Sequence, residues 1–238
     1  MIPAGDFFDA AIGPSYAPPQ DCAVDIIYQD EFMLVVNKPA GLLSVPGRGM
    51  DKTDSLLGRA QQIFPDALCV HRLDMSTSGL LLLARGKQMQ QHLSRMFRER
   101  SVKKHYVAIV AGRLAPSEGE INLPLGADWP NRPRQKIDIT HGKASLTHYR
   151  VLENNEPVQA AQGEQGGATT RVGLRPITGR THQLRLHMAA IGHPILGDAL
   201  YGAAANNRAE RLMLHARMLS FSHPLSGKAL TLLCEAPF

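Results

Sequence analysis

The chain has 238 residues, 44% apolar and 20% charged, ample for a buried core and ordinary for a globular protein. No apolar run approaches the roughly 20 residues of a bilayer-spanning helix, so no membrane partner is expected. Three scattered cysteines, Cys22, Cys69 and Cys234, argue against a disulfide framework and for a reduced, cytoplasmic setting. An excess of 26 Lys+Arg over 21 Asp+Glu, a net charge of +5, biases the chain towards a polyanionic partner.

Residues 1–23 carry Pro3, Pro14, Pro18 and Pro19 with little periodicity and no basic leader before an apolar core. They read as a loose arm, with residues 24–238 forming one domain. Enrichment in β-branched and large apolar residues predicts strands near Ile26–Tyr28, Phe32–Val36, Leu80–Ala84, Tyr106–Val110, Leu146–Leu152, Thr170–Arg175, Leu212–Leu219 and Leu230–Leu233. Met89, Leu93, Met96 and Phe97 recur at helical spacing and place an amphipathic helix over Gln88–Arg100. A second helix is expected from about Arg180 to Ile191, ended by Gly192-His193-Pro194. Asn154–Thr170, rich in Gln, Gly, Ala and Glu, reads as a hairpin loop. The pattern is that of an α+β domain with a mixed, mainly antiparallel sheet flanked by helices and loops.

Basic residues cluster with few acids among them. Arg95, Arg98, Arg100, Lys103 and Lys104 are opposed only by Glu99, and Arg132, Arg134 and Lys136 form a second group. Arg171, Arg175, Arg180 and Arg185 form a third. A solvated helix face interleaves both signs; these groups do not.

The run His71-Arg72-Leu73-Asp74-Met75-Ser76-Thr77-Ser78-Gly79 puts a carboxylate among hydroxyls at the edge of the apolar run Leu80-Leu81-Leu82-Leu83. A charge beside a core is rarely left unpaired. Alone, the run is compatible with a structural ion pair and a turn. A second polar block, Leu174-Arg175-Pro176-Ile177-Thr178-Gly179-Arg180-Thr181-His182-Gln183-Leu184-Arg185-Leu186-His187, and the segments Lys103-Lys104-His105-Tyr106 and Val36-Asn37-Lys38-Pro39-Ala40-Gly41-Leu42 complete the set. Other chemistries lack their parts. There is no glycine-rich loop for a kinase, no Glu between His182 and His187 for a zinc protease, and no paired cysteines for a zinc deaminase.

In order and separation these motifs resemble the RluA family of pseudouridine synthases, from about Ile26 to Pro237. The runs Leu43-Ser44-Val45-Pro46-Gly47-Arg48 and Asp128-Trp129-Pro130-Asn131-Arg132-Pro133 resemble its dual-specificity branch. The resemblance implies a pseudouridine synthase fold without an S4 module. It also implies isomerisation of uridines in structured RNA, without metal or organic cofactor and with no protein partner. The dual-specificity members act on a tRNA anticodon stem-loop and a 23S rRNA hairpin. Asp74 would assist cleavage of the glycosidic bond, Arg180 would pair with it, and Tyr106 would stack on the uracil and help remove its proton. Arg72, on the same strand face as Asp74, would fill the space of the flipped base. Arg48, Arg98, Lys103, Lys104, Arg132, Arg134 and Arg185 are the expected RNA contacts. The residues alone leave open core packing for Tyr106 and phosphate contacts for Arg72 and Arg180. Two other functions also stay open, a non-catalytic RNA-binding or chaperone protein and an N-glycoside hydrolase. The latter lacks a second carboxylate beside these motifs.

Overall fold

The computed structural model describes residues 16–20, 22–155, 167–202 and 209–238. Strands β1 (Asp25–Gln29) and β2 (Met33–Lys38) form a hairpin, followed by helix α1 (Leu56–Ile63), β3 (Ala67–Cys69), β4 (Ser78–Arg85) and helix α2 (Lys87–Arg98). Next come β5 (Lys103–Ala111), β6 (Glu118–Asn122), β7 (Leu125–Ala127), β8 (Gln135–Ile137), β9 (Leu146–Asn155) and β10 (Thr169–Pro176). Helix α3 (Gln183–Ala190), β11 (Leu214–Ser222) and β12 (Ala229–Leu233) complete the set.

The main sheet runs β1-β2-β4-β11-β5-β10-β9-β6, with β3 added to β4 and β12 to β11, while β7 and β8 form a separate ribbon. Among the described residues every pairing is antiparallel except β4 with β11, which run parallel through Ser78–His215 and Gly79–Ala216. Gly79 makes that pairing possible. Its φ is +108°, and a Cβ there would stand 2.4 Å from the Ala216 carbonyl oxygen.

β4 explains its own sequence. Leu80, Leu82 and Ala84 pack with Met33 and Val35 against Met89, Leu93 and Met96 of α2. Leu81 and Leu83 point the other way, with Leu34 and Val36, towards Leu56 and Ala60 of α1. A strand covered on both faces must be apolar throughout, so it reads as a run rather than an alternation. On β11, Leu214 packs under Leu184 and Met188 of α3, and Ala216 belongs to the cluster under α1. Helices α1 and α3 therefore cover neighbouring parts of one sheet face, and Tyr106 packs against both clusters at the seam between them.

The α+β class and the mixed, mainly antiparallel sheet are as the sequence led us to expect, and all eight expected strands are present. Helix α1, capped by the Ser55 hydroxyl on the Gly58 amide, and the short strands β3, β6, β7 and β8 are additions. Helix α3 begins at Gln183 rather than Arg180, because His182 adopts a left-handed φ of 54° that helix propagation forbids. The loop expected at Asn154–Thr170 shrinks at both ends, since β9 extends to Asn155 and β10 starts at Thr169; residues 156–166 lie outside the described residues. Of the expected arm, residues 1–15 and 21 do too.

Candidate active site

Asp74 lies in an irregular loop between β3 and β4, not on a strand. Arg72 and Asp74 therefore do not share a strand face, which corrects that expectation; Arg72 is exposed and Asp74 half-buried. Backbone ties hold the loop. The Ser44 hydroxyl donates to the Leu73 carbonyl at 2.7 Å and accepts the Leu73 amide at 3.1 Å. His71 Nε2 accepts the Leu82 amide at 3.0 Å, and its ring stacks on Phe97 with centroids 4.2 Å apart. Completely buried, Lys38 donates from Nζ to the carbonyls of Pro39, Leu42 and Met75 at 2.8, 2.7 and 2.9 Å. Burial pushes its pKa down to about 7 while the Asp74 charge works upward. Three carbonyl oxygens match the three N–H groups of an ammonium, so the cage favours the charged form against the cost of burial.

The cation facing Asp74 is Arg185. Its Nη1 lies 3.5 Å from Asp74 Oδ2, while Nε and Nη2 grip Asp198 at 2.8 and 2.7 Å. Arg185 and Asp198 are almost fully buried. Burial lowers the guanidinium's pKa, but the Asp198 carboxylate outweighs it and the net shift is upward. Asp198 moves the opposite way, below the usual carboxylate range, because Arg185 and the Leu200 and Tyr201 amides overcome its desolvation. Arg180, expected to fill this role, is exposed and reaches only the Ala144 carbonyl, at 3.4 Å. It sits before the left-handed His182, outside the helix that would have aimed it inward. Arg185, expected as an RNA contact, is instead an internal ion-pair group.

The rest of that polar block proves architectural. Gln183 Oε1 accepts the Arg180 amide and the Thr178 hydroxyl, shaping the turn, while its Nε2 donates to Leu146 O and Thr147 Oγ1. His187 is hydrogen-bonded to Thr147 Oγ1 and the Leu123 carbonyl. His182 Nδ1 meets the Tyr201 hydroxyl at 2.8 Å, and its Nε2 lies 3.9 Å from Asp74 Oδ2. Burial depresses the His182 pKa.

Tyr106 stands on the central strand β5, paired to Leu174 of β10 and Ala216 of β11. Burial and then the Asp74 charge raise its phenol pKa, so the hydroxyl is protonated at neutral pH. Arg48, Arg98, Lys103, Arg132 and Arg134 are exposed, as phosphate contacts must be, and Lys104 is half-buried with its pKa lowered by burial and by Arg100. No group of three or more His, Cys, Asp or Glu side chains is arranged to hold a metal ion among the described residues.

Sequence reasoning singled out neither Asp198 and Tyr201 nor the roles of Lys38, Ser44 and His182. The available signal was Gly197-Asp198: a Cβ at Gly197, φ +72°, would lie 1.9 Å from Arg211 O, so this turn is closely packed.

A half-buried carboxylate facing a buried arginine, beside a protonated tyrosine and a rim of exposed cations, suits chemistry on a polyanion. The sequence profile of the family described as RNA pseudouridylate synthase matches residues 32–190. The dual-specificity RNA pseudouridine synthase RluA of Escherichia coli (strain K12) is 50% identical over 94% of this chain and 98% of its own length. That of Vibrio cholerae is 49% identical over 94% of this chain and 87% of its own. The structure of human RNA pseudouridylate synthase domain containing 1 superposes with a TM-score of 0.75 at 33% identity, covering 93% of this chain and 87% of the human one. With the profile spanning most of the sheet and half the residues shared with bacterial relatives, this chain belongs to the RNA pseudouridylate synthase family.

Proposed function

We propose that this enzyme isomerises uridines in two kinds of small RNA hairpin, a tRNA anticodon stem-loop and a large-subunit rRNA stem-loop, in the cytoplasm. Support comes from half-identity, over nearly the full length, to relatives named as dual-specificity enzymes.

The reaction breaks the bond between uracil N1 and ribose, turns the base, joins uracil C5 to the same ribose carbon, removes the proton from C5 and leaves N1 protonated, so that product and substrate are isomers. Nothing is oxidised and no water is consumed, so the chemistry calls for no cofactor. Asp74 is the group that assists glycosidic cleavage, as carboxylates do at glycosidic carbons. The observation that carries this assignment is the Arg185–Asp74 pair, which orients the carboxylate inside the fold. Tyr106 provides a stacking surface for the uracil. Because its hydroxyl is protonated at rest, it can take the carbon-bound proton only as its own proton moves on. Arg72, exposed two residues before Asp74, occupies the space left by the flipped base. Arg48, Arg98, Lys103, Lys104, Arg132 and Arg134 contact phosphates.

Pseudouridine mapping in tRNA and rRNA from cells with and without the gene tests the substrate assignment; loss of sites in only one RNA class overturns dual specificity. For the site, Asp74→Asn abolishes pseudouridine formation while RNA affinity stays within a few-fold. Release of free uracil by the unmodified enzyme identifies a hydrolase instead.

A further inference from the structure

We infer that Trp129 is a stacking platform for an unpaired RNA base other than the target uridine. It is the single tryptophan of the chain and is 66% exposed, at the tip of the ribbon formed by β7 and β8. An indole is the largest flat aromatic surface a side chain can offer, with a polar N–H at its edge.

Three observations select a nucleobase as occupant. First, one face of the indole is taken by the Arg132 guanidinium, 3.5 Å from the ring centroid, and among the described residues no second ring or cation stacks on it. A flat aromatic surface backed by a cation is a platform that every base can use, and the cation draws in the phosphate beside it. Second, the tip is stiff. The Asp128 amide donates to Arg134 O at 3.1 Å, the Asn131 amide to Asp128 O at 3.1 Å, and the Arg134 amide to Asn131 O at 3.0 Å, while Asn131 Nδ2 reaches Asp128 Oδ2 at 3.0 Å. A surface held in place before binding loses little entropy when a base lands on it. Third, the ribbon is anchored at the candidate site. The Gln135 amide donates to the Tyr201 hydroxyl at 2.7 Å, the same hydroxyl that meets His182, the neighbour of Asp74. The exposed Arg134 and Lys136 flank the tip and complement a polyanion rather than an apolar protein surface. Trp129 thereby helps choose which hairpins are accepted, by the presence of a loop base that can swing out to it. This rests on the RNA-hairpin reading above.

Because Trp129 is the sole tryptophan, intrinsic fluorescence reads the contact directly. The probe is a stem-loop that the wild-type enzyme converts to pseudouridine, titrated while polarisation of a labelled copy reports binding independently. We expect saturable quenching that follows the polarisation curve. An abasic substitution at one non-target loop position should abolish it. Trp129→Ala should raise KM about five- to a hundredfold, the range that loss of one stacked base represents, with kcat within about twofold. Trp129→Phe should retain most of the affinity. Combining Trp129→Ala with that abasic substitution should add nothing to either alone. Unchanged emission at saturating RNA overturns the inference, as does quenching indifferent to every abasic position. A Trp129→Ala variant that loses thermal stability while KM stays put makes the indole a strut of the ribbon, which also overturns it. In each of these cases pseudouridine still forms, so the activity assignment survives; if no stem-loop is modified, both fall together.

Discussion

One guanidinium serves two carboxylates: Arg185 is bidentate on Asp198 and reaches Asp74 with its remaining nitrogen at 3.5 Å. Asp198 fixes the arginine, and the arginine in turn positions Asp74. Replacing Arg185 by Leu leaves Asp198 buried without its counter-charge, so we expect a stability loss of about 3–5 kcal/mol, together with loss of turnover. Arg185→Lys should fold better than Arg185→Leu yet stay catalytically impaired, because one ammonium cannot serve both carboxylates. Arg180→Ala, at the surface, should change stability by less than about 0.5 kcal/mol and leave kcat nearly intact. Urea unfolding and single-turnover assays on the three variants check this; equal damage from Arg180→Ala and Arg185→Lys would contradict it.

Tyr106→Phe keeps the ring at the seam of the two core clusters and removes only the hydroxyl. RNA affinity should hold within a few-fold while turnover falls by at least about a hundredfold, the usual effect of a missing acid–base group. Pseudouridine formation near the wild-type rate would reduce Tyr106 to packing.

Gly79→Ala and Gly86→Ala make a matched pair, since both glycines have positive φ, +108° and +75°. A Cβ at residue 79 meets β11 backbone at 2.4 Å, whereas at residue 86 nothing lies within 4 Å. Gly86→Ala should cost about 1 kcal/mol from its backbone conformation. Gly79→Ala should cost several times more and part β4 from β11. Thermal melts of both variants test the comparison, and equal shifts in Tm would show that strand contact is not what Gly79 provides.

Acid should loosen the fold before it affects a folded active site. Burial, with a lesser push from Lys104, takes the His71 pKa down to about 3. His105, His182, His187 and His215 are also lowered, chiefly by burial. A histidine kept neutral when folded contributes its stability above its unfolded pKa of about 6.5 and loses it as the pH falls towards the folded value. For His71 alone, a drop from pH 7 to pH 5 should remove up to about 2 kcal/mol. The Tm should fall over that interval, and His71→Gln should flatten the slope. A Tm constant from pH 7 to 5 counts against the neutral, hydrogen-bonded ring.

What the sequence disclosed, and what it withheld, follows from range. Period and composition located β4 and α2 because their signals are local: apolar continuity in one, a stripe of Met89, Leu93 and Met96 in the other. Helix α1 escaped notice because it is short and contains Gly58, and its amphipathic stripe is only Leu56 and Ala60. Choosing between Arg180 and Arg185 was beyond local reasoning. Both lie in the same polar block, and what separates them is the left-handed turn at His182 and the partner Asp198, reached only after the chain has folded back. Tyr106 was legible through its motif, but its place at the seam depends on neighbours from β10 and β11.

The parallel pairing of β4 with β11 also bears on when the enzyme becomes active. The clasped Asp74 loop and Tyr106 belong to early-synthesised chain, whereas Arg185, Asp198 and the strand between β4 and β5 come late. At ribosomal speed the interval from Asp74 to β11 lasts on the order of ten seconds. Until Arg185 has been made and β11 has docked, the carboxylate lacks the arginine that orients it and the sheet lacks its centre. Topology thus delays completion of the site, since Asp74 meets its arginine and the sheet gains its centre only when late-synthesised segments dock.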